Sequence, residues 1–522
     1  MKLLGSFTLY FSKASIFLAL LTGVAYASST ADHSKFKELQ GGFDSGPEVT
    51  SACIKCHTEA AKQIHKTKHW TWEFLNPDNR QRVGKRNILN NFCITPKSNY
   101  AYCSSCHVGY GWKDENFDFT SEENVDCLVC HDTTGEYSKP PGSAGFPKES
   151  VDLTYVAQNV GSTSRDTCGA CHFYGGGGNG VKHGDLDDSL AVADRELDVH
   201  MDAVGEDFTC STCHQSIEHD VAGSRYVPEA KHTEDRHLYK RDYNQESRAH
   251  CRACHGNEPH EKANTVRLNH HANKLACQTC HIPKIARGGI ATRMTWDWST
   301  AGKLNKDGEA IQTRVDGNLV YHGKRGTFTY AENIVPEYIW FNGTVNFQLL
   351  DDKVSINEQG YVPINDFEGK PDDGKSRIWP VKVFRGVQPY DPEMGTLVVP
   401  HTTGLNEDAY WKNFDWNRAI TAGMLSAGKP FSGKVDFIKT QMSWPITHMV
   451  APAKDAVGCN DCHSKDSRLN DIEGIYIPGR DNTEWLDLAG WSIALLTLIG
   501  VLFHGLGRLV SFYWSKRKCQ KG

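Results

Sequence analysis

Eight copies of Cys-x-x-Cys-His recur along the 522 residues, and no other feature constrains the fold of this chain as strongly. The first four are Cys53, Cys56 and His57; Cys103, Cys106 and His107; Cys127, Cys130 and His131; and Cys168, Cys171 and His172. The last four are Cys210, Cys213 and His214; Cys251, Cys254 and His255; Cys277, Cys280 and His281; and Cys459, Cys462 and His463. With 18 cysteines and 24 histidines, random placement yields roughly 0.03 such pentapeptides. Two thiols three residues apart reach the two vinyl groups of one haem, and the adjacent imidazole falls beneath the iron as an axial ligand. Zinc would need paired motifs at recurring separations, without a histidine after each. A dithiol oxidoreductase has one motif rather than eight, and a disulfide framework gives no reason for the histidines. Eight covalently bound haem c groups are therefore expected, with the motif histidines as iron ligands.

Such a chain needs little apolar core of its own. Apolar residues, counted with glycine and without tyrosine, make up about 44 %, or about 41 % without the sixteen motif cysteines, which is lean for a globular protein. Porphyrin fills the deficit. The net charge of −6 makes nucleic acid an unfavourable partner.

The expected fold is a multihaem c-type cytochrome, mainly α with irregular haem-wrapping loops, a small antiparallel β insertion and one C-terminal transmembrane helix. Seven motifs crowd into a heptahaem region, residues 28–281, where short helices carry each motif. The run Gly175–Gly178 followed by Asn179 and Gly180 predicts a tight loop. Residues 282–400 read as a β-rich insertion, because Gly326–Tyr330, Tyr338–Phe341, Thr344–Leu350 and Tyr361–Ile364 cluster aromatic and β-branched residues between Asn-Gly and Asp-Gly turns. Residues 401–480 read as a helical region with the eighth haem, its helices over 407–428 and 433–443.

Both termini carry addresses. Residues 1–27 read as a secretory signal, with Lys2, an apolar stretch and the cleavage site Ala25-Tyr26-Ala27. Residues 486–510 read as a transmembrane helix, flanked by Trp485, Trp491, Tyr513 and Trp514. The tail 511–522 holds Lys516, Arg517 and Lys518, which the positive-inside rule places in the cytoplasm. The haem region is thus expected in the periplasm, anchored in the inner membrane. His504 and Arg508 read either as polar residues near the headgroups or as a docking point for a quinol-oxidising membrane cytochrome b, the expected electron donor. The role of Cys519 and assembly as a homo-oligomer stay open.

An iron with two firmly held histidines passes electrons, whereas one with a displaceable ligand can take substrate. Sixteen histidines lie outside the motifs. His33, near the cleavage site, and His504, in the membrane helix, are set aside. Of the rest, His65, His219, His250, His260, His271 and His448 are favoured as distal ligands, being close to motifs or in helical stretches.

The regular motifs, the long gap before the last, and the segment Gly177-Gly-Asn-Gly-Val-Lys182-His183-Gly-Asp185 resemble the octahaem tetrathionate reductase family over roughly residues 45–475. In that family a lysine amine is the distal ligand of the second-motif haem, and a cysteine lies beside it. The resemblance implies Lys182 as that ligand, Cys93 as that cysteine and, with His107, a catalytic site on the second motif. On the residues alone, Lys182 is an ordinary solvated lysine and Cys93 an inert thiol or a nucleophile toward sulfur–sulfur bonds. Arg80, Arg82, Lys85 and Arg86 read as a solvated basic face or as a rim steering a small oxyanion substrate.

The expected activity is a periplasmic reductase that passes electrons to the lysine-ligated haem and reduces tetrathionate, with nitrite and hydroxylamine as further candidates. Neither a Cys-x-x-Cys-Lys motif nor a widened cysteine spacing is present, which sets aside the pentahaem nitrite reductase and octahaem sulfite reductase patterns. Two alternatives remain: a membrane-tethered conduit with only bis-histidine haems, and a hydroxylamine-oxidising enzyme.

Overall fold

Where motifs follow one another closely, only short helices fit, and the computed structural model shows such helices across the described residues 31–226, 249–262 and 265–520. The signal segment 1–27 lies outside them. Helix α1, Gly46–Cys53, starts with Pro47 in its first turn and ends on the first motif. Helix α2, Arg165–His172, carries the whole fourth motif. A capping box starts it: the Thr167 amide donates to the Ser164 hydroxyl at 3.2 Å, and the Ser164 amide donates to the Thr167 hydroxyl at 2.9 Å. The other motifs sit on or beside single turns, such as Leu128–His131 and Arg252–His255. Single turns do not persist alone, so packing and cofactor attachment must hold them.

The β insertion is larger than the sequence suggests. Among the described residues it forms a nine-stranded sheet: β1 Thr292–Asp297, β2 Gln312–Val315, β3 Asn318–His322, β4 Gly326–Ala331, β5 Glu337–Phe341, β6 Val362–Pro363, β7 Arg377–Asp391, β8 Thr396–Leu397 and β9 Asp436–Pro445. The main path runs β6-β9-β7-β1-β4-β3-β2, with β5 and β8 pairing on β7. It is also mixed rather than purely antiparallel, because β7 runs parallel to β1 (Arg385 opposite Thr295) and β9 parallel to β6.

Strand β9 corrects the helix expected over 433–443. Thr440, Met442 and Trp444 are buried, and the residues between them only half-buried, a period of two that belongs to a strand. Ten residues of β9 pair antiparallel with β7, from Val381 opposite Pro445 to Tyr390 opposite Asp436. The sheet therefore crosses the expected boundary at residue 400. Helix α3, Trp416–Ser426, does form within the helical stretch expected over 407–428, capped by Asp415 accepting from the Arg418 amide at 3.1 Å.

The sheet packs on the motif-rich region, residues 28–281, through one apolar cluster. Phe92, Ile94 and Val181 join Trp296, Trp298, Phe328, Phe384, Met442 and Trp444 in it. This contact places the sheet behind the segments that carry Cys93 and Lys182.

At the end of β7 the buried Asp391 carboxylate accepts from the amides of Glu393, Met394 and Ser432 and from the Ser432 hydroxyl. Burial raises its pKa, but these donors outweigh burial and hold it below the ordinary carboxylate value. A depressed folded-state pKa gives stability that is present above the unfolded value and lost as pH falls through the folded one. Asp391→Asn is therefore expected to flatten the acid limb of a plot of Tm against pH, below the ordinary carboxylate range. An unchanged acid limb would sink this assignment.

Residues from 457 onward form a second unit. It holds the eighth motif on the turn Cys459–Cys462 and helix α4, Glu484–Cys519. Arg480 ties the intervening loop by donating to the carbonyls of Leu469 and Ile472, both at 2.6 Å, and of Ile475 at 3.0 Å. Helix α4 is long and apolar enough to cross a membrane, with a mean hydropathy of 2.0 in its most apolar window and none of its residues buried. It outruns the expected span because the basic tail stays helical to Cys519.

Candidate functional site

Two axial imidazoles on one iron need a fixed spacing. A metal–imidazole bond of about 2 Å and roughly 1 Å from nitrogen to ring centre put the two centres about 6 Å apart. Six motif histidines meet another histidine at that distance. The pairs are His57 with His33 at 6.4 Å, His131 with His219 at 6.5 Å, His172 with His69 at 6.2 Å, His214 with His448 at 6.2 Å, His255 with His200 at 6.0 Å and His281 with His260 at 6.2 Å. Several motif rings also donate Nδ1–H to a carbonyl, which leaves Nε2 for a metal: His131 to Gly161 at 2.8 Å, His214 to Ala222 at 2.9 Å and His463 to Pro478 at 3.0 Å. At these six motifs the donor set and its spacing fit bound haem.

Of the six favoured histidines, His219, His260 and His448 stand in these pairs. His65 instead stacks on Trp70 at 4.7 Å, with Nε2 3.2 Å from the Ser121 carbonyl. His250 accepts at Nδ1 from the Ala253 amide at 3.2 Å, and His271 holds its Nδ1 3.3 Å from the Arg267 carbonyl. His69 and His200 were not singled out on sequence, and His33 was set aside there. Four of the six partners lie more than fifty residues from the motif they face, so closeness in sequence is a poor guide. Only the fold brings the pairs together, as when β9 delivers His448 to His214.

The second motif differs. His107 is fully buried, and the rings around it are Trp70 at 5.1 Å, Trp72 at 5.3 Å, Trp112 at 4.7 Å, Phe117 at 5.5 Å and Phe119 at 6.4 Å. Among the described residues no imidazole stands opposite it at the axial spacing. Its Nε2 donates to the Trp70 carbonyl at 2.7 Å, and its buried Nδ1 has no hydrogen-bond partner among the described residues. Burial pushes its pKa down to about 3, so the ring is neutral.

Lys182 acts on the cysteines of this motif, Cys103 and Cys106. Its amine is held well below the usual lysine pKa, first by burial and then by Arg225 and Lys85, while Cys106 and Cys93 oppose that shift. A neutral amine is the form that binds metal. The glycine loop makes room for it: a Cβ on Gly175 would lie 2.7 Å from Lys182 Nζ. Gly176, at φ +94°, turns its carbonyl to accept the Cys93 thiol. Burial raises the Cys93 pKa, and Arg325, Arg293, Lys182 and Lys85 pull it back. Behind the loop, the fully buried Lys382 donates to the Val181 carbonyl at 2.7 Å and to the Thr292 hydroxyl at 2.5 Å, fixing the chain next to Lys182.

The basic stretch contributes one residue. Lys85 acts on Cys93, whereas Arg82 pairs with Glu73 at 3.2 Å and Arg86 packs 4.8 Å from the Phe119 ring centre. The other cations come from the sheet, Arg293 on β1 and Arg325 just before β4, which the sequence reading missed.

Neighbouring motifs also touch through their cysteines. Cys53 lies within hydrogen-bond reach of Cys127, Cys106 of Cys171, Cys168 of Cys210 and Cys251 of Cys277. Cys130 acts on Cys168, and Cys213 on Cys251. The first and third to seventh motifs thus form a connected row, and the second branches from it at the fourth.

A crystal structure of an octaheme cytochrome c from Shewanella oneidensis is similar over 84 % of this chain and 95 % of that one, at 41 % identity and a TM-score of 0.74. Residues 293–466 match the family described as Cytochrome c bacterial, and residues 52–132 match Cytochrome c554 and c-prime. No curated protein matches the chain.

Proposed function

The chain belongs to the octaheme cytochromes c, electron-transfer oxidoreductases with covalently bound haem, and on that premise we propose that it is a respiratory reductase whose substrate site lies at the second motif. All eight motifs are proposed to bind haem c, which supplies one-electron transfer between neighbours when bound. The six facing histidine pairs would hold six of those haems. The observation that carries the proposal lies at the second motif: among the described residues no imidazole faces His107, and a lysine amine held neutral by burial and a thiol lie near its cysteines.

Lys182 would help hold the second-motif haem, on a glycine loop that gives its side chain room to withdraw. Tetrathionate is the proposed substrate, taking two electrons to give two thiosulfates. The Cys93 thiolate attacks a central sulfur, expelling one thiosulfate and forming a mixed disulfide with the other half. Two electrons and one proton then return the thiol and release the second thiosulfate. We also propose that the haem region is periplasmic, that α4 anchors it in the inner membrane, and that a quinol-oxidising cytochrome b supplies the electrons.

The test is turnover by dye-reduced, haem-loaded protein with tetrathionate, nitrite, hydroxylamine and sulfite. Tetrathionate should give the highest kcat/KM. Inertness toward all four, with an imidazole on both faces of every ferric iron, would leave an electron conduit as the function.

A further inference from the structure

Arg293 is a buried guanidinium that makes no ion pair among the described residues. It is 3 % exposed on β1. Its Nε and Nη2 both donate to the Tyr330 hydroxyl, at 3.0 and 2.5 Å, and the group lies 4.0 Å from the Phe328 ring centre and 4.7 Å from that of Trp296. Nη1 is buried and has no hydrogen-bond partner among the described residues. The groups that act on it most strongly are Tyr330, Cys93 and Arg325, and it also acts on the buried Lys382. A buried cation is ordinarily paired, because nothing else offsets its lost hydration. On the same sheet Arg385 shows the usual arrangement, forked onto Glu337 at 3.0 and 3.3 Å.

Around Arg293 the charge is positive instead. Arg325, Lys182 and Lys85 act on the same Cys93 thiol. Arg325 is steadied where it stands: its carbonyl accepts from Trp296 Nε1 at 2.8 Å, and its guanidinium lies 5.2 Å from the Trp411 ring centre. Tyr330 occupies one edge of the Arg293 fork, so the free edge has a set direction.

We infer that Arg293 and Arg325 form an anion subsite beside Cys93 that takes a sulfonate-type end of a small, doubly charged oxyanion substrate. The inference rests on the second-motif site proposed above and deepens it by naming the groups that select the substrate. A guanidinium edge matches two oxygens of one oxyanion, which a lysine does not. A neutral substrate such as hydroxylamine draws nothing from this subsite, so charge separates the candidate substrates. The β sheet gains a function with it, since both arginines belong to that insertion and not to a motif.

The experiment uses full-length, haem-loaded protein with thiosulfate and sulfate as probes. In the unaltered protein, thiosulfate is expected to slow alkylation of Cys93 by iodoacetamide about tenfold. Arg293→Gln and Arg325→Gln should each abolish that protection and raise the KM for tetrathionate about tenfold, with the KM for hydroxylamine unchanged. Arg293→Lys, which keeps the charge and loses the fork, should restore part of the protection. Protection that persists in both glutamine variants overturns the subsite, and so does an equal rise of both KM values, which marks a structural role. Arg293-dependent protection in a protein that reduces none of the substrates upholds the subsite and rejects the reductase. Tetrathionate turnover that ignores both arginines does the reverse.

Discussion

Replacing Lys139 with methionine is expected to cost about 3–5 kcal/mol, the usual loss when one partner of a buried ion pair is removed. The Lys139 and Asp126 side chains are 3 % and 0 % exposed and lie 2.8 Å apart. Lys139 also donates to the His107 carbonyl at 2.6 Å and the Gly109 carbonyl at 3.3 Å. Asp126 further accepts from the hydroxyls of Tyr110 at 2.8 Å and Tyr137 at 3.0 Å and from the Val129 amide at 3.0 Å. The pair sits at a junction, because Asp126 immediately precedes Cys127 and His107 closes the second motif. One ammonium thus ties two haem motifs together. Methionine nearly fills the space but leaves the Asp126 charge in a site that cannot solvate it. Denaturant unfolding of the haem-loaded variant followed by circular dichroism gives the loss. The double variant Lys139→Met with Asp126→Asn should recover much of it, since no lone charge then remains. A loss below about 1 kcal/mol for the single variant would mean that packing, and not the pair, holds the junction.

The repeated motif made the cofactor legible in the sequence, and the crowding of seven copies into 28–281 made the short helices legible too. Attachment chemistry demands fixed local spacing, so it leaves a mark in the text of the chain. The histidines that face the motifs leave far less. His69 reaches His172, and His200 reaches His255, only because the fold carries them there. The same cause hid Arg293 and Arg325, whose meaning depends on a sheet packing against Phe92 and Val181. Strand β9 was missed because Asp436–Pro445 mixes polar and apolar residues, and its alternation shows clearly only once Thr440, Met442 and Trp444 are seen buried. Lys182 was singled out through family resemblance, since a lone lysine on a glycine loop carries no signal of its own.

Lys182→Ala is expected to lower the turnover of tetrathionate about a hundredfold, roughly what the loss of one charge-assisted contact to a dianion costs. The amine has two proposed states, neutral when it faces the iron and protonated when displaced toward substrate. Alanine removes both. In the ferric protein the low-spin signal of an amine–imidazole iron should disappear and a high-spin signal replace it, while the six irons between facing imidazoles keep their spectra. Gly175→Ala supplies a subtler version of the same test. Its Cβ would lie 2.7 Å from Lys182 Nζ, 2.8 Å from Cε and 3.0 Å from Cδ, so the end of a flexible side chain gives way and the backbone can stay. That variant should fold normally, keep Lys182, and still shift the second-motif spectrum toward high spin. The two variants separate ligation from charge: Gly175→Ala displaces the amine but leaves a cation for the substrate, so its turnover should fall less than that of Lys182→Ala. If both leave the ferric spectrum and the turnover untouched, Lys182 is not the ligand and the second motif is one more step in the wire.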